Sequence, residues 1–150
     1  MNRKDREITD IQEIEEIINK AKIIRVAMCE NNKPYVVPLS FGYKEKSVYI
    51  HSSKKGRKIE ALKKNNNVTF ELDIDTELVE SEKACDYSMK FKSVIGFGKT
   101  YFISDLKQKK LALDIIMSHY SKGDFFYTPE QIERTCLIRI DIESMTGKKS

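Results

Sequence analysis

Apolar residues recur with two different periods along the chain, and the period separates helices from strands. Four isoleucines between residues 11 and 18 are spaced by three and four positions, which predicts an amphipathic helix over residues 10–20. Thr9 with Gln12 is a candidate capping box at its start. Further along, the spacing shortens to the alternation that is typical of half-buried strands.

Six runs rich in β-branched and aromatic residues predict strands. They cover residues 23–29, 35–41, 48–52, 68–73, 90–103 and 136–142. Turn-forming residues separate the first three runs, so we expect these strands to be antiparallel neighbours. The acidic stretch 74–87 is predicted to be a surface loop. Six or so strands in one small domain close most readily into a barrel.

Three further helices are expected around this sheet. The first covers residues 55–64 and ends at the asparagines 65–67, a residue type that tolerates the left-handed conformation. The second is capped by Ser104 or Asp105 and runs to about residue 121, and the third begins at Thr128 and Pro129. The sequence therefore predicts a mainly β fold with peripheral helices, in a single domain over residues 1–150.

Composition excludes several classes of function. The chain has 150 residues, a net charge of +4 and 40% hydrophobic residues, which is typical of a soluble globular protein. No run approaches the roughly 20 apolar residues of a membrane span, and the first residues lack the apolar core of a signal peptide. A cytoplasmic location without a membrane partner is the expectation.

The spacing of basic residues and of cysteines and histidines indicates neither a nucleic-acid-binding surface nor a metal site. No aromatic residue interleaves the basic run at 54–58, as a single-strand binding platform would require. The three cysteines lie far apart, and with two histidines they show no metal-ligand spacing. The Lys148 and Lys149 pair is expected to be a solvated tail.

The most informative segment is the run HSSKKGRK at residues 51–58. It follows a predicted strand and leads into a predicted helix, so four cations lie at a helix start. The helix dipole makes that arrangement unfavourable unless an anion binds there, when backbone donors, dipole and cations all act together. Phosphate is the obvious candidate, and a solvated basic turn is the alternative.

Three other positions could carry chemistry or could be structural. Pro38 in a strand belongs at a sheet edge or a bulge, which leaves backbone groups free for a planar ligand. His51 could contact a ligand, donate a proton or be a structural histidine, whereas His119 is expected to be structural. Glycines 96 and 98 inside a strand indicate a bulge or the close approach of a ligand.

Four blocks of sequence together carry a resemblance to a known family. They are KPYVVPLSF at 33–41, YIHS with GRK between 49 and 58, CDYS with SVIGFG between 85 and 98, and IMSHY at 116–120. With the closing Thr146-Gly147-Lys148 they span nearly the whole chain. In order and spacing they resemble the flavin-binding split-barrel superfamily of pyridoxamine-phosphate oxidase, and within it the nitroimidazole-resistance-type proteins.

The resemblance implies a six-stranded antiparallel split β-barrel that acts as a homodimer, with FMN in a groove at the subunit interface. It implies that Arg57 and Lys58 hold the FMN phosphate, with Ser52 as a hydroxyl donor. His51 would lie near the flavin as the candidate catalytic residue. Ser93 stands where the oxidase branch has a flavin-contacting glutamine. The segment expected to run along the isoalloxazine ring is Val37, Pro38, Leu39, Ser40 and Phe41.

The function that follows from the resemblance is an FMN-dependent oxidoreductase that reduces a small electrophile such as a nitroaromatic. A nicotinamide coenzyme or another reductant would supply the electrons. The substrate-phosphate residues of the oxidase branch have no match in this sequence, so oxidation of pyridoxamine phosphate is not predicted. The alternative is a non-catalytic protein that binds flavin or haem.

Overall fold

The computed structural model describes residues 2–150 and is built on one antiparallel sheet. Its strands are β1 (Glu7–Ile8), β2 (Ile24–Glu30), β3 (Lys33–Leu39), β4 (Gly42–Lys44), β5 (Ser47–Ser52), β6 (Asn67–Val79), β7 (Ser88–Ile103) and β8 (Cys136–Lys149). Its helices are α1 (Ile11–Lys20), α2 (Arg57–Lys64), α3 (Leu106–Tyr120) and α4 (Pro129–Arg134). The six predicted strands are all present, and β1 and β4 are short additions to them.

The order of the strands makes the sheet a split barrel. Hydrogen-bonded neighbours run β3-β2-β6-β7-β8-β5-β4, and β1 pairs with β8. The two edge strands, β3 and β4, are joined directly by Ser40 and Phe41. The sheet therefore curls back on itself until its edges meet at this link, which confirms the predicted mainly β split barrel.

The barrel interior is the main hydrophobic core, and helices close it. Alternate residues of the strands point inward, and Ile50, Phe70 and Ile138 are at most 1% exposed. Helices α1 and α2 pack their apolar faces onto this core, with Ile18 and Leu62 among the buried side chains. Helix α3 lies on the outside of the barrel and packs on β8 through a small second cluster.

Several local predictions were wrong, most of them because long-range strand pairing decides the conformation. Asp10, and not Thr9, caps α1 by accepting a hydrogen bond from the Gln12 N–H. Asn65 ends α2 in extended backbone, with φ −145°, because the chain enters β6 at once. The predicted 74–87 loop is β6 as far as Val79, with an irregularity at Asp75 (φ +55°). The Lys148–Lys149 tail is the paired end of β8.

The two glycines inside β7 are explained by the protein's own packing. A Cβ on Gly96 would overlap the buried ring of Phe70 on the neighbouring strand. A Cβ on Gly98 would meet the Asp141 carbonyl oxygen, at the bulge where the β7–β8 register shifts. The bulge that the sequence predicted is present, and the close approach at Gly96 is made by a phenyl ring of this chain.

The end of α3 holds the Ser40–Phe41 link in place. The Tyr120 hydroxyl accepts a hydrogen bond from the Phe41 N–H (3.0 Å) and donates one to the Lys22 carbonyl (2.7 Å). His119 hydrogen-bonds the Ala21 carbonyl at 2.6 Å, and its ring centroid lies 4.4 Å from that of Phe41. These contacts bear out the structural role that was expected for His119.

Tyr120→Phe is expected to lower the free energy of unfolding by about 1–2 kcal/mol, because the Phe41 N–H loses its acceptor beside the core. Urea denaturation measures this change. Tyr127→Phe is the matched control, since its buried hydroxyl has no hydrogen-bond partner among residues 2–150. Equal effects of the two substitutions would contradict the role of Tyr120.

Candidate functional site

The start of α2 is an open set of backbone donors surrounded by cations. Gly56 precedes the helix with φ +128° and ψ 170°, and no side chain caps the first turn. The free N–H groups of a first turn and the helix dipole attract anions. Lys54, Lys55, Arg57 and Lys58 lie in or next to this turn. The predicted juxtaposition of cations and a helix start is therefore present.

Gly56 is required for this shape, because its φ and ψ values fall in a region that only glycine adopts readily. Gly56→Ala is expected to lower the free energy of unfolding by about 1–3 kcal/mol through backbone strain alone, since the space around it is empty to 4 Å. Thermal unfolding of the variant tests this. A neutral substitution would show that the turn relaxes without strain.

The two candidate phosphate ligands point in different directions. The guanidinium of Arg57 lies 4.2 Å from the ring centroid of Tyr35 on β3. Lys58 is half-buried near the Cys136 thiol on β8, and burial lowers the pKa of its ammonium. Arg57 is thus positioned by stacking toward the β3 edge, while Lys58 faces the end of the barrel.

Strand β3 is a sheet edge, as Pro38 predicted. It pairs only with β2, and Pro34 and Pro38 lie on one exposed side of it. Val37 and Leu39 instead pack against the core, so they offer a ligand their backbone and not their side chains. The free edge of β3 is a row of backbone groups. The Arg57 guanidinium lies near this edge, because it stacks on Tyr35 of the same strand.

The link between the edge strands offers fewer groups than the sequence suggested. The Phe41 side chain is fully buried and its N–H is bonded to Tyr120. The exposed Ser40 remains accessible to a ligand. In a ligand complex, Phe41 would hold the link at the edge of the groove in place, and Ser40 would contact the ligand directly.

His51 and Ser52 are adjacent in β5 and therefore face opposite sides of the sheet. His51 is exposed and pairs with Leu137, and Ser52 is half-buried opposite Cys136. Ser52 thus belongs with Lys58 at the barrel end. His51 is a solvent-accessible imidazole on the other face of the strand.

Ser93 lies on β7, three strands away from Pro38. The register runs from Pro38 to Arg25, then Glu71, then Ile95, and Ser93 is two residues from Ile95. At the usual strand spacing and rise, this separates Ser93 from Pro38 by roughly 16 Å along the sheet. One chain alone therefore does not bring Ser93 to the β3 edge.

One row of residues on the outer face of the sheet between β3 and β8 is uncharged, and its ends are exposed. A row across four strands comprises Val36, Ala27, Thr69 and Phe97, with Val36 58% and Phe97 53% exposed. A shallow cavity of about 330 Å³ lies on this row. Large exposed apolar patches on a soluble domain mark interaction surfaces.

Sequence patterns gave no sign of several residues that shape this region. Tyr35 and Tyr120 act through contacts with residues distant in sequence, and the Cys136 thiol lies among lysines of three other segments. Among residues 2–150 no cluster of three or more metal-ligating side chains occurs. Within the same residues, no helix is long and apolar enough to cross a membrane.

Comparison with known proteins identifies the family. The model of the family described as pyridoxamine 5'-phosphate oxidase matches residues 10–149. The chain belongs to the pyridoxamine 5'-phosphate oxidase family. None of the curated proteins compared with it matches the chain.

Several solved structures are similar to this chain in fold and support its description as a split barrel. A candidate 5-nitroimidazole antibiotic resistance protein from Bacteroides thetaiotaomicron is 40% identical, with a TM-score of 0.87 over 95% of this chain and 86% of that one. An FAD and haem binding protein from Mycobacterium smegmatis has a TM-score of 0.88 at 18% identity, over 97% of this chain and 73% of that one. An FAD-binding protein from Mesorhizobium loti has a TM-score of 0.68 at 24% identity, over 97% of both chains. The two latter similarities show the fold alone.

Proposed function

We propose that this member of the pyridoxamine 5'-phosphate oxidase family binds FMN and reduces a small electrophile. The observation that carries the proposal is the uncapped start of α2, with Arg57 and Lys58 in its first turn. FMN carries a phosphate dianion at the end of a ribityl chain that is attached to a large flat ring. A donor-rich cationic end and an adjoining exposed edge with apolar surface suit those two parts.

The residues have separate roles in this proposal. Arg57, Lys58 and Ser52 would hold the phosphate, and the backbone from Val37 to Phe41 would run along the ring, as the sequence predicted. The chain supplies binding, orientation and exclusion of water, while bound FMN supplies the electron transfer. A nicotinamide coenzyme is the proposed reductant and a nitroaromatic the proposed type of substrate, in line with the printed name of the 40% identical relative.

The site is proposed to be shared between two copies of the chain. The apolar outer face around Val36 and Phe97 offers a surface for a second copy. Ser93 lies on that same sheet face, too far from Pro38 to share a ring with it within one chain. A partner's Ser93 could contact the flavin held at the β3 edge. Light scattering should then give twice the 17.5 kDa chain mass, and Phe97→Glu should give the single mass.

The visible spectrum of the purified protein tests the cofactor. Flavin absorption, or its appearance with quenched flavin fluorescence on titration with FMN, is the expected result. FMN and FAD titrated separately distinguish the two flavins. A protein that takes up neither flavin would remove the proposal.

A haem-binding protein is the second candidate. The contacts of the two histidines bear on which of them could be the axial ligand. His119 is committed to the Ala21 carbonyl and the Phe41 ring, so of the two histidines His51 is the one left as an axial ligand. Haem titration of the wild type and His51→Ala separates the cases. A Soret band that is lost in the variant favours haem, whereas normal flavin uptake with lost nitroaromatic reduction favours a catalytic His51.

A further inference from the structure

A second cavity lies on the far side of α2 from Arg57. It has a volume of about 580 Å³ and is bounded by α2, the end of β7, the start of α3 and the end of α4. Ile59 and Lys63 of α2 line it. At 3.6 residues per turn they lie roughly 200° and 240° around the helix from Arg57, which stacks on Tyr35. The cavity therefore opens on a different side of α2 from Arg57, and it adjoins the Lys58 end of the proposed flavin site through Cys136.

The cavity has one apolar wall and one basic wall. Its volume is in the range of small-molecule sites. The apolar wall is formed by Ile59, Phe102, Ile103 and Leu106. Three lysines and one carboxylate carry the charges of the lining, and they are Lys54, Lys63, Lys109 and Glu133. The lining therefore has a formal charge of +2.

Lys109 is the strongest indication of a ligand. Its side chain lines the cavity although the residue is only 6% exposed. Its ammonium has three donors, and the structure shows one hydrogen bond, to the Glu133 carbonyl oxygen at 2.9 Å. No ion pair to Lys109 forms within residues 2–150.

A buried ammonium without a counter-charge is unfavourable. Burial lowers the pKa of Lys109, and the nearby Lys54 charge acts in the same direction. The Glu133 charge raises the pKa of Lys109, but the Glu133 carboxylate does not form a direct ion pair with the Lys109 ammonium within residues 2–150. An anion in the cavity would satisfy the two remaining donors of Lys109 and screen it from Lys54.

We propose that this cavity is a second ligand site, which takes a small organic anion with an apolar body. A carboxylate or phosphate head would lie between Lys109, Lys54 and Lys63. The apolar body would lie against Phe102, Ile103 and Leu106, where it covers side chains that are now partly in water. The site would add a second small-molecule ligand to the protein, next to the proposed phosphate end of the flavin site.

Calorimetric titration with three matched naphthalene compounds tests the site. 1-Naphthoate and 1-naphthyl phosphate carry the two head groups, and neutral 1-naphthol carries none. At least one anion is expected to bind 10-fold or more tightly than naphthol, and the tighter of the two identifies the head group. Binding of naphthol as tight as that of both anions, or no binding at all, would overturn the proposal.

Lys109→Met removes the buried charge and keeps an unbranched apolar side chain. We expect it to weaken binding of the preferred anion at least 10-fold, with FMN affinity unchanged. Lys107→Met is the matched control, because Lys107 is exposed on the same helix outside the cavity lining. An unchanged anion affinity in Lys109→Met would contradict the site. A parallel loss of FMN binding would show that the cavity is part of the flavin groove.

The cysteines provide a measurement that needs no core substitution. Cys136 lines the cavity, whereas Cys85 is exposed in a distant segment. The preferred anion is expected to slow alkylation of Cys136 by iodoacetamide at least 5-fold and to leave Cys85 unaffected, as followed by mass spectrometry. Combining the exposed substitutions Lys54→Met and Lys63→Met should abolish the protection. Protection that persists in that double variant, or equal rates at Cys136 with and without the anion, counts against the site.

Discussion

Arg57→Ala is expected to weaken FMN binding by about 10- to 150-fold, which corresponds to about 1.5–3 kcal/mol for hydrogen bonds to a charged group. Lys58→Ala should have a similar effect. Both side chains lie in the uncapped first turn of α2, where removal of one cation leaves the phosphate with the backbone donors and the other cation. Fluorescence titration of the flavin-free protein with FMN measures both affinities.

Arg57→Lys separates charge from geometry in the same experiment. Lysine keeps the charge but lacks the planar guanidinium that stacks on Tyr35, so an intermediate loss of affinity is expected. Lys64→Ala is the control for net charge, because Lys64 is on the same helix but at its other end, paired with Glu30 at 2.7 Å. Equal losses in Arg57→Ala and Lys64→Ala would show that only the overall charge matters.

Salt should separate the roles of the two cations further. Exposed charges are screened at high ionic strength, and half-buried ones less so. Arg57 is exposed and Lys58 is half-buried. The difference in FMN affinity between wild type and Arg57→Ala should therefore shrink more in 0.5 M salt than the difference between wild type and Lys58→Ala.

The sequence predicted the elements of the barrel because each carries its signal locally. Alternation identified the strands, and Thr128 with Gln131 forms the full capping box at the start of α4. Positive φ values at Asn31 and Asn32 produce the tight turn between β2 and β3 that these residue types indicated. Such features depend on neighbours within a few residues and are therefore readable from the chain.

The site was less predictable because its geometry depends on distant residues. The run at 51–58 correctly indicated cations at a helix start, but nothing local shows that Arg57 lies over Tyr35 while Lys58 turns toward Cys136. The Phe41 N–H is occupied by Tyr120, 79 residues away. The extension of β6 beyond residue 74 is likewise fixed by pairing with β7, although its acidic composition indicated a loop.

Gly96→Ala is expected to destabilise the protein by about 3 kcal/mol, the upper end of the usual range for overpacking. The added methyl would overlap the ring of Phe70, which is 1% exposed and has no room to move within the barrel. Gly123→Ala is the matched control, because the nearest atoms to its Cβ lie at 3.8 Å. We expect that control to stay within about 0.5 kcal/mol of the wild type in urea denaturation.

Phe70→Leu tests whether the ring itself is the obstacle. Leucine lacks the outer ring atoms that the new methyl meets, so the Gly96→Ala and Phe70→Leu double variant should be more stable than the sum of the single effects predicts. A coupling free energy of about 1–3 kcal/mol is expected for two residues in direct contact. Additive effects would contradict the overlap of the new methyl with the Phe70 ring.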